Sequence, residues 1–322
     1  MTTTVGNFTS TSFSPPRMAP GGGPSGPPVY EVATWADRPL TPAPDAEMTV
    51  ATVGNLKDVR FKWLGSAWSA STIYDMLQAF PGGTTDGSRH VYFPFHSGAL
   101  DGTGSAATKA IDGGASRAHL PSVGSPERGA ADGLTHARLR VGQSDDFRDS
   151  SAPPIGSGSA GLIVYGVVRW RATGEAESRV GRIIAPLSPP RFSSIPRLRS
   201  SIAGDPRGLR SVVNRNIGVD SATIVETANT VPADEWCCYV STADFAGGQA
   251  HAQLDEGIEV SLPLDSSGVV DVVGDVDLSI RFAGNGGCDF RALGLVDFAT
   301  SPDAGVRELI AALLRPIRDF GS

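Results

Sequence analysis

The 322-residue chain lacks several things, and each lack closes off a class of protein. No run of about 18 apolar residues occurs, so no segment reads as a membrane-spanning helix. The first residues, MTTTVGNFTSTSFSPPRM, have neither an apolar core nor an early positive charge, and no secretory signal is expected. Three cysteines, Cys237, Cys238 and Cys288, form no disulfide framework and suit a reducing compartment. Lysine is nearly absent. Lys57, Lys62 and Lys109 stand against 24 arginines, a bias that genome composition or an arginine-specific binding role would each produce.

Catalytic and cofactor motifs are missing too. There is no Walker sequence, nucleophile elbow, H-E-x-x-H pair or EF-hand loop. Gly156, Gly158 and Gly161 satisfy G-x-G-x-x-G, but a dinucleotide site needs that motif between a strand and a helix. Here Pro153-Pro154 precede it and a strand-like run follows. His90 and His96, the cysteines with His251, and Asp271, Asp275 and Asp277 read as ordinary strand or surface residues. The expectation is a protein that is not an enzyme, with no catalytic residues, no cofactor and no metal.

What is present is turn-rich and strand-rich. Thirty-nine glycines and 24 prolines favour many turns and short strands over long helices. Residues 1–47, dominated by Thr, Ser, Pro and Gly, bury too little surface to offset the entropy of ordering them, and read as an extended or mobile arm. Residues 48–178 read as the first part of a β-rich body. In it, 66–80 has the spacing of a short helix, 90–96 reads as a strand pushed to an edge by Pro94, and 97–134 reads as a long loop. The run GLIVYGVVRW at 161–170 reads as a central strand.

Residues 179–218 read as an Arg/Pro-rich connecting segment. Arg179, Arg182, Arg191, Arg197, Arg199, Arg207, Arg210 and Arg215 face the single acid Asp205 there, a net charge of +7. Arg169 and Arg171 read as the leading edge of this basic stretch. Residues 219–322 form an acidic β-rich part, with fifteen acids against Arg281 and Arg291 between 219 and 303. Strand-like runs recur at 222–227, 235–241, 257–264, 268–273 and 275–283, then an Asn285-Gly286 hairpin signal leads into 288–298. From Ser301 and Pro302 onward, Val306, Leu309, Ile310, Leu313, Leu314, Ile317 and Phe320 make the apolar stripe of a terminal helix. Pro316 is expected to kink or end it.

Strands joined by tight turns imply a mainly β fold, an antiparallel sandwich or jelly roll with long loops, one short internal helix and a C-terminal amphipathic helix. The Thr/Ser/Pro/Gly arm, the short regular strands, the Gly/Ala/Ser loops and the Arg-dense segment beside an acidic sheet together resemble a viral coat (capsid) protein of the jelly-roll kind, as in small RNA viruses. That resemblance implies a chain made in the host cytoplasm that self-assembles into the shell of a virion. Arm and terminal helix would be exchanged between subunits, with no membrane partner, and the eight arginines would contact viral RNA or a neighbouring subunit. The arm departs from the pattern, because Arg17 and Arg38 are outnumbered there by Glu31, Asp37, Asp45 and Glu47. Two rival readings are a Pro/Ala/Ser-rich RNA-coating protein without a closed capsid, and a carbohydrate- or host-surface-binding β module of a virion. The latter would use aromatics such as Trp63, Trp68 or Trp170 on an exposed face.

Overall fold

From Gly161 to Trp170 the chain forms a ten-residue strand covered on both faces. Leu162, Val164, Val168 and Trp170 enter one hydrophobic core, while Ile163, Tyr165 and Val167 enter a second on the opposite side. Successive side chains of a strand point to opposite faces, so a strand between two cores must be apolar at both parities. Each fully buried aliphatic side chain contributes about 1.5–3 kcal/mol, which makes this run the natural centre of the molecule.

The computed structural model describes residues 17–18, 26–53, 56–71, 90–114, 118–140, 143–152, 158–172, 177–184, 192–199, 206–215, 221–265, 268–269, 276–281 and 287–320. Its strands in chain order begin with β1 (Arg17–Met18), β2 (Val29–Val32), β3 (Glu47–Val53), β4 (Leu56–Trp63), β5 (Trp68–Ala70) and β6 (His90–Phe93). There follow β7 (Leu100–Asp101), β8 (Lys109–Ala110), β9 (Leu120–Val123), β10 (Glu127–Ala131), β11 (Leu134–Leu139) and β12 (Asp146–Ala152). The next are β13 (Gly161–Trp170), β14 (Glu177–Arg179), β15 (Arg182–Ile184), β16 (Ser193–Arg199), β17 (Gly208–Asn214) and β18 (Thr223–Glu226). The last are β19 (Trp236–Asp244), β20 (Gln249–Leu254), β21 (Val260–Pro263), β22 (Val276–Arg281) and β23 (Cys288–Phe298), then helix α1 (Ala304–Asp319).

The fold is mainly β, as the turn-rich composition implies. A central sheet runs β10-β11-β23-β13-β19-β20-β21, with β6 also on β23. An outer sheet runs β18-β17-β16-β15-β22-β12-β9-β8-β7, with β14 on β16. Side chains of these two sheets share the first core, where Phe147, Leu198, Leu209 and Val213 of the outer sheet meet Leu162, Val164 and Phe290 of the central one. A small sheet, β1-β2-β3-β4-β5, and α1 cover the other face of the central sheet. Gly294 is needed at its position because a Cβ there would sit 2.1 Å from the buried Tyr165 ring.

Several local expectations change. The stretch 97–134 is not a plain loop but carries β7 to β10, whose pieces of two to five residues are too short to show the apolar alternation that marks a strand. Residues 179–218 are not a connector; β14 to β17 lie in the outer sheet. The start of the expected 66–80 helix is strand β5, paired to β4, and the rest of it lies outside the described residues. So do Arg191, most of the 268–273 strand, the Asn285-Gly286 hairpin, and residues 1–25 apart from β1. The arm is part of the body from Val29 onward. β2 pairs in parallel with β3, and Trp35 is buried among Phe61 and the helix residues.

Helix α1 is capped by Asp303, which accepts from the Val306 amide at 2.8 Å; Ser301 instead donates to Asp244 at 2.5 Å. It runs through Pro316 to Asp319. Arg291 Nη1 donates to the carbonyls of Ile317 and Arg318 at 3.2 and 2.8 Å, supplying donors that the helix end lacks. Leu309, Ile310, Leu313, Leu314 and Ile317 of the helix are buried against the chain's own sheet.

Candidate functional site

The arginines of the 179–215 stretch are sorted by strand parity. On β16, Leu198 points into the core and Arg197 and Arg199 point away from it; on β17, Leu209 and Ser211 are buried and Arg210 lies between them. Antiparallel register then sets Arg179 of β14 opposite Arg197, Arg197 opposite Arg210, and Arg210 opposite Glu226 of β18. Side chains at directly opposed positions lie about 4.5–5.5 Å apart at Cβ, so three guanidinium groups form a row that ends on one carboxylate. Arg210 is ion-paired with that carboxylate.

A second row runs beside the first. Ile195, Val212 and Ile224 are mutually opposed on the same face, and Ile224 is 41% exposed. Further across the sheet, Ser279 of β22 is flanked in register by Arg182 and Arg148. Arg148 is exposed while its neighbour Phe147 is in the core, which places Arg148 on the arginine face. At the Glu226 end the face opens into a cleft of 320 Å³, lined by Arg199, Arg210, Glu226, Thr230, Pro206 and Gly208 among others.

Of the eight arginines singled out in the sequence, Arg179, Arg182, Arg197, Arg199 and Arg210 are thus gathered on one face. Arg207 is not a contact residue. It is 0% exposed, with its guanidinium 4.1 Å from the centre of the Trp170 ring in the core. Arg215 donates to the Val269 carbonyl at 2.7 Å. Arg148, Glu226 and Thr230 escaped the sequence reading. The signal available for Arg197, Arg199 and Arg210 was the alternation in IPRLR and GLRSVV, which marks strands with one charged face.

Arg169 and Arg171 do not lead into this face. Both donate to Asp289, at 2.6 and 2.5 Å for the shortest contacts, and Arg138 adds a third contact at 3.2 Å. Burial alone would raise the Asp289 carboxyl; the hydrogen bond from Arg171, with His136 and Arg169, holds it below its ordinary range instead. His136 beside it is pushed down to about 4, first by burial and then by the neighbouring arginines. Acids of the 219–303 region serve similar ends elsewhere. Glu259 is held at about 2, against its burial, by hydrogen bonds from His251 and Arg307. Asp255 and Glu256 hold Arg318 of the helix.

The other candidates are spent in the core. His90 Nε2 is 2.5 Å from the Tyr165 hydroxyl, and His96 Nδ1 is 3.2 Å from the Arg291 carbonyl. Cys237 and Cys238 face different cores, and burial pushes both thiols up, so neither is a reactive thiolate at neutral pH. Trp68 and Trp170 are fully buried and present no aromatic surface. No helix among the described residues is long and apolar enough to cross a membrane.

No protein-family model matches the sequence, and no curated protein matches it. Among solved structures, the chain is similar to the binding domain of Paraclostridial mosquitocidal protein 1, at 10% identity over 70% of this chain and 51% of that one, with a TM-score of 0.47. It is also similar to the binding domain of botulinum neurotoxin DC in complex with SialylT, at 11% identity over 67% and 51%, TM-score 0.47. A third likeness is to an endo-β-1,4-glucuronan lyase from the fungus Trichoderma reesei, at 10% identity over 68% and 98%, TM-score 0.42. The chain spans about half the length of the first two. At these identities and TM-scores the likenesses carry no inference about ligand or activity.

Proposed function

We propose that this chain is a carbohydrate-binding recognition module that holds an acidic glycan along the outer face of its sandwich. The observation that carries this reading is the register-aligned row Arg179–Arg197–Arg210 leading into the cleft at Arg199 and Glu226. Arginine presents planar paired donors that match a carboxylate or sulfate group. The adjoining Val212 and Ile224, the latter 41% exposed, suit the apolar face of sugar rings whose charged substituents reach the arginines, with Ile195 buried at the inner end of their row.

A nucleic acid fits this face less well. Single-stranded nucleic acids are held by aromatic stacking as well as by charge. With Trp68 and Trp170 buried and Trp63 packed on the second core, the expected aromatics serve neither ligand, and the glycan reading rests on the arginines with Val212 and Ile224 instead. Binding is favoured over catalysis because the one carboxylate of the cleft, Glu226, is tied to Arg210, and no histidine lines it among the described residues. A self-assembling shell is less supported, since the helix and the described part of the arm from Val29 pack within the chain.

Calorimetric titration with an oligouronate tests the proposal. Arg197→Ala and Arg210→Ala each remove a charged hydrogen-bond donor worth about 1.5–3 kcal/mol, and binding is expected to weaken about tenfold or more with the melting temperature unchanged. Arg207→Met is expected to lower stability and leave the affinity alone. Electron micrographs of closed particles, or oligouronate affinities indifferent to Arg197 and Arg210, would sink the proposal.

A further inference from the structure

Acids interrupt the arginine face: Glu177 stands opposite Arg199 in register, and Glu226 stands at the end of the row. Glu226 is opposite Arg210, lines the cleft, and keeps a side-chain exposure of 54%. The acids that hold arginines range in exposure: Asp289 has no exposed side-chain surface and that of Asp255 is 16% exposed, while Asp132 and Asp319 are 42% and 41% exposed. A half-exposed ion pair adds little to stability, so structural need does not account for Glu226. A face shaped only to attract anions would also be stronger without it.

We propose that Glu226 is the specificity-determining residue of the cleft, selecting an acidic sugar and rejecting phosphodiester polymers. This rests on the acidic-glycan reading of the face. An acidic sugar carries hydroxyl donors beside its carboxylate. With the sugar carboxylate on Arg199 and Arg210, a neighbouring hydroxyl donates to Glu226, which is an acceptor only. The charged edge of a phosphodiester strand offers phosphate oxygens, which also only accept, so that Glu226 meets it with like charge and no proton to share. Discrimination of this kind needs a repulsive element beside the attractive ones, and the arginines supply the attraction.

The experiment measures binding of an oligouronate and of a single-stranded DNA oligomer to the unaltered chain, Glu226→Gln, Glu226→Ala and Arg197→Ala, at one ionic strength. The unaltered chain is expected to prefer the oligouronate. Glu226→Gln removes the charge and keeps an acceptor, so DNA affinity should rise about threefold to tenfold while oligouronate affinity does not rise. Glu226→Ala removes the acceptor as well, and the oligouronate should weaken. Equal changes for the two ligands in both Glu226 variants, or an unaltered chain that prefers DNA, would overturn the assignment. Failure of the underlying reading looks different: Arg197→Ala would then leave oligouronate binding untouched whatever Glu226 does.

Discussion

At the scale of single residues, arginine serves three ends in this chain, and its surroundings decide which. Arg197 and Arg210 look outward from the sheet, Arg207 is stacked on Trp170, and Arg169 and Arg171 neutralise Asp289. The clustering of positive charge was legible in the sequence; the separation of Arg207 from its neighbours was not, because Trp170 lies 37 positions away in the chain. The Asp289 cluster has a consequence for acid stability. His136 is fully buried beside it, with its pKa lowered from 6.5 to about 4, so the folded chain keeps it neutral where the unfolded chain would protonate it. Its contribution is therefore fully present above pH 6.5 and is lost as pH falls towards 4, on the order of 2 kcal/mol in all. Denaturant titrations at pH 7, 6, 5 and 4 should show that decline, and His136→Gln should flatten it. An unchanged slope in the variant would mean that other groups carry the acid response.

At the scale of elements, legibility followed the amount of apolar alternation or of continuous apolar run. β13 and β23 were visible because 161–170 and 288–298 are long and apolar, and β18, β19 and β21 because alternating residues sit between turn signals. β7 to β10 were invisible; pieces of two to five residues such as Leu100–Asp101 and Lys109–Ala110 hold their place through sheet neighbours, not through local preference. The helix was plain, but not how it ends. Pro316 lacks an amide proton for the Ala312 carbonyl, yet the helix runs on to Asp319, where Arg291 on β23 donates from across the fold to the last-turn carbonyls of Ile317 and Arg318 while stacking 4.2 Å from Trp236. Arg291→Leu is accordingly expected to cost about 2–4 kcal/mol, since it strands buried carbonyls and the Asp132 carboxylate. Hydrogen exchange separates this from general loosening. Amides near residues 317–320 should lose protection first while those of β13 keep theirs; uniform loss across both would count against the capping role.

At the scale of the whole molecule, charge is divided into two populations. The chain is acidic overall, at a formal net charge of −7, and three of its acids, Asp289, Glu259 and Asp255, are turned inward on Arg138, Arg169, Arg171, Arg307 and Arg318. The arginines of β14, β16 and β17 are gathered in one row on the outer face, with Arg210 paired to Glu226. A polyanion is then attracted only at short range and only in one orientation, which favours recognition over general adhesion. Salt should act differently on the two populations. The Debye length falls from about 10 Å at 0.1 M to about 3 Å at 1 M, and screening weakens exposed charges far more than enclosed ones. Oligouronate affinity is thus expected to fall by about tenfold or more between 0.05 and 0.5 M sodium chloride, while the melting temperature moves by only a few degrees. If melting temperature and affinity collapsed together with salt, the enclosed pairs and the row would belong to one electrostatic system, and the arginine face would lose its standing as a site separate from the scaffold.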